Sequence, residues 1–158
     1  MPLEYLEEYG LEQMNADEMQ GFLSSQSTGV LGFSTDDVPY MIPMSYAFDE
    51  DSIYFTYLIG SDSQKETLTE QSERAGFLVY NVETMFNWQS VLVSGPISSV
   101  PEAEWSDLEE LLASAWRPEL FQSSNAPGQV GVYELEIDDR SGIRHTGLAP
   151  GFREGVEY

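Results

Sequence analysis

Lys65 is the only lysine of the chain, and it follows the small polar run Gly60-Ser61-Asp62-Ser63-Gln64. Ser63-Gln64-Lys65-Glu66 has the spacing of a capping box, so this run is expected to open a helix that continues through Gln71. A cation in the first turn of a helix faces the positive end of the dipole, an unfavourable place unless an anion is shared there. Helix N-termini preceded by small residues hold anions, because unpaired backbone N–H groups converge on them. With lysine so scarce, the coincidence carries weight, and the chemistry it points to is retention of a phosphate.

Other chemistries find little support in the residue types. There is no G-x-G-x-x-G, no Walker loop and no G-x-S-x-G elbow. The absence of cysteine excludes disulfides, thiolate metal sites and cysteine nucleophiles. His145 is the single histidine, so a His-based metal cluster cannot form, and in a late loop it reads as a packing or surface residue before a catalytic base. Carboxylates are abundant, but their density follows the global charge and singles out no acid–base pair. Chemistry supplied by a bound cofactor is therefore more economical than chemistry supplied by side chains.

The elements that must position these residues follow from periodicity. Asn15-Ala16-Asp17-Glu18 is a capping box, and Met19, Phe22 and Leu23 then form the apolar stripe of a helix ending near Ser25. Strands are expected at 28–34 and, after a turn at Asp36-Asp37, from Tyr40 to Phe48, where apolar and other residues alternate strictly. Pro43 within that strand requires a position whose N–H the sheet does not need, an edge or a bulge. Further strands are expected at 53–58, 74–83, 88–100 and 130–138. A helix introduced by Pro101 carries Trp105, Leu108, Leu111, Leu112 and Trp116 and stops before Pro118, and Gln122 to Gly128 reads as a loop. Six strands in mostly hairpin order with three helices predict one domain over 1–158, a mainly β (α+β) fold built as a small antiparallel barrel. From about residue 140 the Gly-rich tail is expected to be irregular, docked on a partner subunit.

The order of these segments resembles the pyridoxamine 5′-phosphate oxidase-like family. The resemblance runs through Val38-Pro39-Tyr40-Met41-Ile42-Pro43-Met44-Ser45-Tyr46, Ile53-Tyr54-Phe55-Thr56, Gly60 to Lys65 with Leu68, and Ser90-Val91-Leu92-Val93-Ser94-Gly95. It covers roughly residues 15–138 and implies a six-stranded split barrel that binds FMN as a homodimer. It also implies site residues. Ile42, Pro43, Met44 and Ser45 would lie along the isoalloxazine and offer it backbone N–H and C=O groups. Thr56 and Lys65 would bind the ribityl chain and phosphate, with Ser61, Ser63 and Gln64 adding donors. Trp88, Gln89 and Ser90 would close over the flavin.

Two departures narrow this. Relatives often carry an Arg or Lys beside the matching lysine, whereas Gln64 stands here, and Asp62 adds negative charge near the phosphate, so FMN affinity should depend on screening by salt. The C-terminal Trp-x-x-x-Arg-Leu-x-x-Arg-like segment by which true pyridoxamine phosphate oxidases hold their substrate is not reproduced by Arg140, Arg144 and His145. The expected function is a flavin-dependent oxidoreductase passing hydride between a reduced nicotinamide and a small acceptor, without a side-chain nucleophile. The alternatives are a non-catalytic flavin-binding or storage protein, or a barrel holding deazaflavin or haem.

Composition sets the surroundings. At 158 residues and 41 % hydrophobic, a domain of this size buries roughly two-thirds of its unfolded surface. The 28 Asp and Glu stand against 6 Lys and Arg, a net charge of −22, which disfavours nucleic acid and anionic membranes as partners. No run approaches the ~20 apolar residues of a membrane helix and the N-terminus lacks a signal core, so a soluble, cytoplasmic protein is expected. The acidic, lysine-poor composition resembles that of cytoplasmic proteins of extreme halophiles. Self-repulsion at this charge opposes compaction in dilute buffer, and at molar salt the Debye length falls to about 3 Å and screens it. The melting temperature is therefore expected to fall as salt is lowered from molar to ~50 mM; a scan showing no change would remove charge repulsion from the account.

Overall fold

Asn15 starts the first helix in the manner its sequence anticipates. Its side chain accepts from the backbone N–H of Glu18 at 2.9 Å, and the Glu18 carboxylate accepts from the Asn15 N–H at 3.2 Å. The computed structural model of the protein describes residues 7–58, 64–112 and 130–147, with only the backbone of Leu58, Lys65 and Thr146. Nine strands are found there: β1 (Leu11–Gln13), β2 (Thr28–Phe33), β3 (Tyr40–Ser45), β4 (Ala47–Asp49), β5 (Ser52–Leu58), β6 (Arg74–Thr84), β7 (Asn87–Ser99), β8 (Val130–Glu136) and β9 (Asp139–Thr146). The helices are α1 (Ala16–Ser25), α2 (Gln64–Gln71) and α3 (Trp105–Leu112), the last preceded by a 3-10 turn at Glu102–Glu104.

The sheet is antiparallel, in the order β3-β2-β6-β7-β8-β5-β4, with β9 beside β7 and β1 beside β9. Its two end strands, β3 and β4, are consecutive in the chain and separated by Tyr46 alone. The expected single strand from Tyr40 to Phe48 is thus two strands, because the chain leaves β2 and joins β5 at this residue. The result is an open sheet bent into a split barrel rather than a closed one. Tyr46 secures the corner: its hydroxyl donates to the Leu23 carbonyl at 2.6 Å and its ring meets Phe77 edge-on at 5.2 Å. Burial pushes this phenol far above its ordinary pKa, so it stays a donor.

The main core lies inside the bend. Leu31, Phe33, Phe55, Tyr57, Phe77, Val79, Val91 and Val93 are buried by alternation along their strands, and α1 covers one side through Met19, Phe22 and Leu23. A second cluster joins Ala47, Tyr54, Val100, Leu112 and Val132 beneath α3. On this side Ser52 and Tyr54 both donate to the Glu134 carboxylate, at 2.7 and 3.1 Å. Desolvation first and the Glu134 charge second push the Tyr54 phenol up to about 12, which keeps it a donor.

Two sequence expectations are corrected. The segment from residue 140 is not irregular: 139–146 forms β9, which runs along β7 from Asn87 to Ser94 and carries β1 on its other edge. Its Gly, Ser and Arg content hides a strand because only alternate positions face an apolar layer. The strand count rises from six to nine through β1, β9 and the division at Tyr46. The α3 helix is described as far as Leu112; Trp116, the stop before Pro118 and the loop from Gln122 to Gly128 lie outside the described residues.

Where β7 passes from β9 to β8, Gly95 is indispensable. A Cβ there would run into the carbonyl oxygen of Glu136, and backbone cannot move aside as a flexible side chain can. A Cβ on Gly76 would meet nothing closer than the Val93 carbonyl at 3.9 Å. Gly95→Ala is expected to cost about 2–3 kcal/mol and Gly76→Ala less than about 1 kcal/mol. Paired denaturation curves in molar salt check this, and coincident midpoints would contradict the crowding at Gly95.

Candidate functional site

Cross-strand registers define the outer face of the sheet. Side chains directly opposite one another share a face, so Pro43, Val30, Leu78, Leu92 and Ser141 form one row. Met41, Gly32, Gly76 and Ser94 form the next, with Asp139 at its end. Tyr80, Ser90 and Ile143 form a third, and Val82, Trp88, His145 and Leu11 a fourth. In a chain of 28 acidic residues, Asp139 is the one carboxylate among these rows of the described residues. Met41, Tyr80, Val82 and Leu92 are at least half exposed or nearly so, at 68, 52, 58 and 49 %. Large apolar side chains are left in water here while carboxylates are kept elsewhere, and such a patch marks a binding surface.

Two depressions sit on this face and share Leu78. A trough of about 370 Å³ lies over the Gly32–Gly76 pair, between Met41, Val30 and Leu92. A larger groove of about 580 Å³ is lined by Leu78, Tyr80, Val82, Met85, Trp88, Gln89 and Ser90. The trough has little besides Ser34 to orient a ligand. The groove adds to its apolar walls an indole, a phenol and a hydroxyl, the composition of a small-molecule site.

The predicted residues fall into three groups. Trp88, Gln89 and Ser90 come together in the groove. The β3 residues lie at the free end of the sheet order, as Pro43 requires. The Tyr46 N–H bond to the Ser27 carbonyl fixes the ladder phase, so Ile42 and Met44 use their backbone groups on β2. By the same alternation the Pro43 carbonyl and the Ser45 N–H and C=O face the open edge. The Ile42 and Met44 side chains turn into the core.

The third group is the phosphate set. Thr56 lies on β5 opposite Val132, on the side facing away from Phe55 and Tyr57. Gln64 and Lys65 are the first two residues of α2, and Gln64 is exposed. This helix is docked by half-buried Leu68 and by Thr69, whose hydroxyl is 3.0 Å from that of Tyr57, itself stacked on Tyr133 at 4.0 Å. Ser61 and Ser63, like the Lys65 side chain, lie outside the described residues.

Sequence reasoning missed the rest of the groove, namely Leu78, Tyr80, Val82 and Met85, and the surroundings of His145. A signal was present: Met85 and Phe86 are two large apolar residues in the short connection between the expected strands 74–83 and 88–100, where solvent-facing polar residues are the rule. Met85 is 75 % exposed. His145, expected in a loop, is buried on β9 with Nδ1 2.5 Å from the Phe86 carbonyl oxygen. A carbonyl only accepts, so Nδ1 carries the proton.

No cation among the described residues lines either depression. Arg74 pairs with Asp138 at 2.6 Å, Arg144 with Glu12 at 3.0 Å and with Glu18, and Arg140 donates to the Glu50 carbonyl at 3.2 Å. Among the described residues no cluster of three metal-ligating side chains forms, and no helix is long and apolar enough to cross a membrane.

This chain matches the family described as pyridoxamine 5′-phosphate oxidase over residues 15–144, and it belongs to that family. An uncharacterized protein of Rhizobium meliloti is 25 % identical over 114 residues, covering 66 % of this chain and 73 % of its own. Among solved structures, a FAD-binding protein of Mesorhizobium loti superposes with a TM-score of 0.69 at 20 % identity, covering 87 % of this chain and 98 % of its own. The FAD and heme binding protein of Mycobacterium smegmatis gives a TM-score of 0.68 at 12 % identity, over 88 % of this chain and 75 % of its own. The split barrel is the fold shared by all of these structures.

Proposed function

We propose that the protein binds FMN as a homodimer and acts as a flavin-dependent oxidoreductase in the cytoplasm. The observation that carries this reading is the groove on the face where Asp139 is the one carboxylate among the described rows. Three residues expected at the flavin, Trp88, Gln89 and Ser90, line it together, in a chain whose net charge is −22. Its volume and its mix of aromatic and polar groups suit a planar, amide-edged ring system. The open edge of β3 supplies further backbone donors and acceptors that no described strand uses. Names of relatives add support at the level of a flavin, since the Mesorhizobium loti structure is of a FAD-binding protein.

When bound, the flavin supplies hydride acceptance from a reduced nicotinamide and electron delivery to a small acceptor. The chain's own part is to hold and shield. Leu78, Val82 and Met85 exclude water from the ring, and the indole of Trp88 offers it a face. The Ser90 hydroxyl orients its polar edge. Lys65, with Thr56 and Gln64, holds the phosphate by charge-assisted hydrogen bonds at the start of α2.

The second copy covers the β2–β3 side of the same face. Two chains of this charge can meet without apposing carboxylates only where carboxylates are lacking, and Val38 and Met41 stand 71 and 68 % exposed beside the trough. Leu92→Glu, which puts a charge into the wall of the trough, is expected to give a monomer in sedimentation experiments in molar salt. An unchanged dimer would move the interface to another surface.

FMN titration in molar salt, followed by quenching of tryptophan emission, tests the cofactor. Lys65→Ala is expected to weaken FMN by about 1.5–3 kcal/mol and to leave riboflavin, which lacks the phosphate, unaffected. Equal losses for FMN and riboflavin would take Lys65 away from the phosphate.

A further inference from the structure

His145 is the only histidine of the chain, and at 8 % exposure it is buried opposite Trp88 on the last described strand. Its Nδ1–H donates to the carbonyl oxygen of Phe86 at 2.5 Å, and its ring lies 5.8 Å from that of Phe86 and 6.4 Å from the indole of Trp88. Phe86 belongs to the tip of the β6–β7 hairpin, which reaches beyond the core. From Tyr80 to Met85 every residue of this hairpin is exposed, and its register slips between Val82 and Thr84.

The tip does little to hold itself. The Phe86 N–H donates to Thr84 Oγ1 at 3.1 Å and the Asn87 amide to Glu83 at 2.7 Å, both within the hairpin. Among the described residues, His145 supplies the side-chain hydrogen bond that reaches the tip from another element. A hairpin with so few buried contacts belongs to the low-stability end of a fold, where local opening is cheap. Yet this tip carries Met85 and leads through Asn87, paired with Thr146 of β9, directly into Trp88, and Met85 and Trp88 both wall the larger groove.

We propose that His145 is a positioning residue for the ligand groove: its N–H···O=C bond to Phe86 fixes the hairpin tip and so presets the Trp88 and Met85 wall. The inference rests on the flavin reading for the identity of the ligand, and on the hydrogen bond and ring contacts for the clamp. A wall already in place spares the ligand the free energy of ordering it. A wall that is in place only part of the time weakens affinity by that fraction. The side chain does this without touching the ligand, and the hydrogen atom it donates matters more than the space its ring fills.

Two substitutions separate those contributions. His145→Phe keeps a ring of similar size and removes the donor; His145→Asn keeps a donor at the δ position and removes the ring. FMN binding is measured by fluorescence in molar salt, and amide exchange at Met85, Phe86 and Asn87 is measured without ligand. His145→Phe is expected to weaken FMN about tenfold, the scale of one lost hydrogen bond, and to speed exchange at the tip. His145→Asn is expected to restore most of both. A purely structural histidine would lower the melting temperature of both variants alike and leave affinity in the folded fraction unchanged, and that result would overturn the proposal. Wild-type affinity in His145→Phe with unchanged tip exchange would overturn it as well. Failure of the wild-type protein itself to bind FMN would contradict the flavin reading instead, and tip exchange alone would then decide the clamp.

Discussion

Everything in this fold hangs on β7. Along its first half it pairs with β6 on one side and β9 on the other, and past Gly95 it exchanges β9 for β8. One continuous ladder therefore joins the layer that makes the core to the layer that makes the face. Val91 and Val93 point inward and are fully buried, while Trp88, Ser90 and Leu92 point outward into the depressions. The exchange of partners is possible because Gly95 lets the Glu136 backbone approach, and it bends the sheet around Phe77 and Phe55. A slip of one residue in β7 would send the core set to solvent and the groove set to the core.

The second constraint is charge. With so few cations available, the described arginines are all engaged at strand ends, where Arg144 ties β9 to Glu12 of β1 and Glu18 of α1, and Arg74 ties β6 to Asp138. The hydrogen bond from Arg74 holds the Asp138 carboxyl below the usual carboxylate range. Carboxylates populate the helices and turns, and the outer face of β3, β2, β6 and β7 is spared. That separation leaves an acidic protein with a face on which the proposed ligand and second copy would meet little fixed charge.

Periodicity and capping made most of the elements legible in the sequence. The Asn15–Glu18 box and the Met19, Phe22, Leu23 stripe gave α1 its start and its buried face, and the two appear as expected. Pro43 announced an edge strand, and β3 ends the sheet order. Strand β9 was hidden because Ser141-Gly142-Ile143-Arg144-His145 shows no run of apolar residues. Its inner face needs a glycine, since a Cβ on Gly142 would press on Met19 at 2.8 Å and Met14 at 3.0 Å. The break at Tyr46 was hidden for another reason: alternation continues through it unchanged, and only the change of partner, a tertiary event, divides the strand. For the site, local pattern and family resemblance reached Trp88 to Ser90 and the β3 edge. The opposite walls at Tyr80 and Val82 arise from register between β6 and β7, which no single segment encodes.

The groove beside Trp88 is proposed to hold a flavin carrying one terminal phosphate. The most direct measurement is the absorbance spectrum of the protein purified in molar salt, followed by identification of the chromophore released on denaturation. The predicted result is a yellow protein with flavin bands near those of free FMN, releasing FMN in about one equivalent per chain. A colourless protein that takes up no FMN in molar salt would contradict the claim.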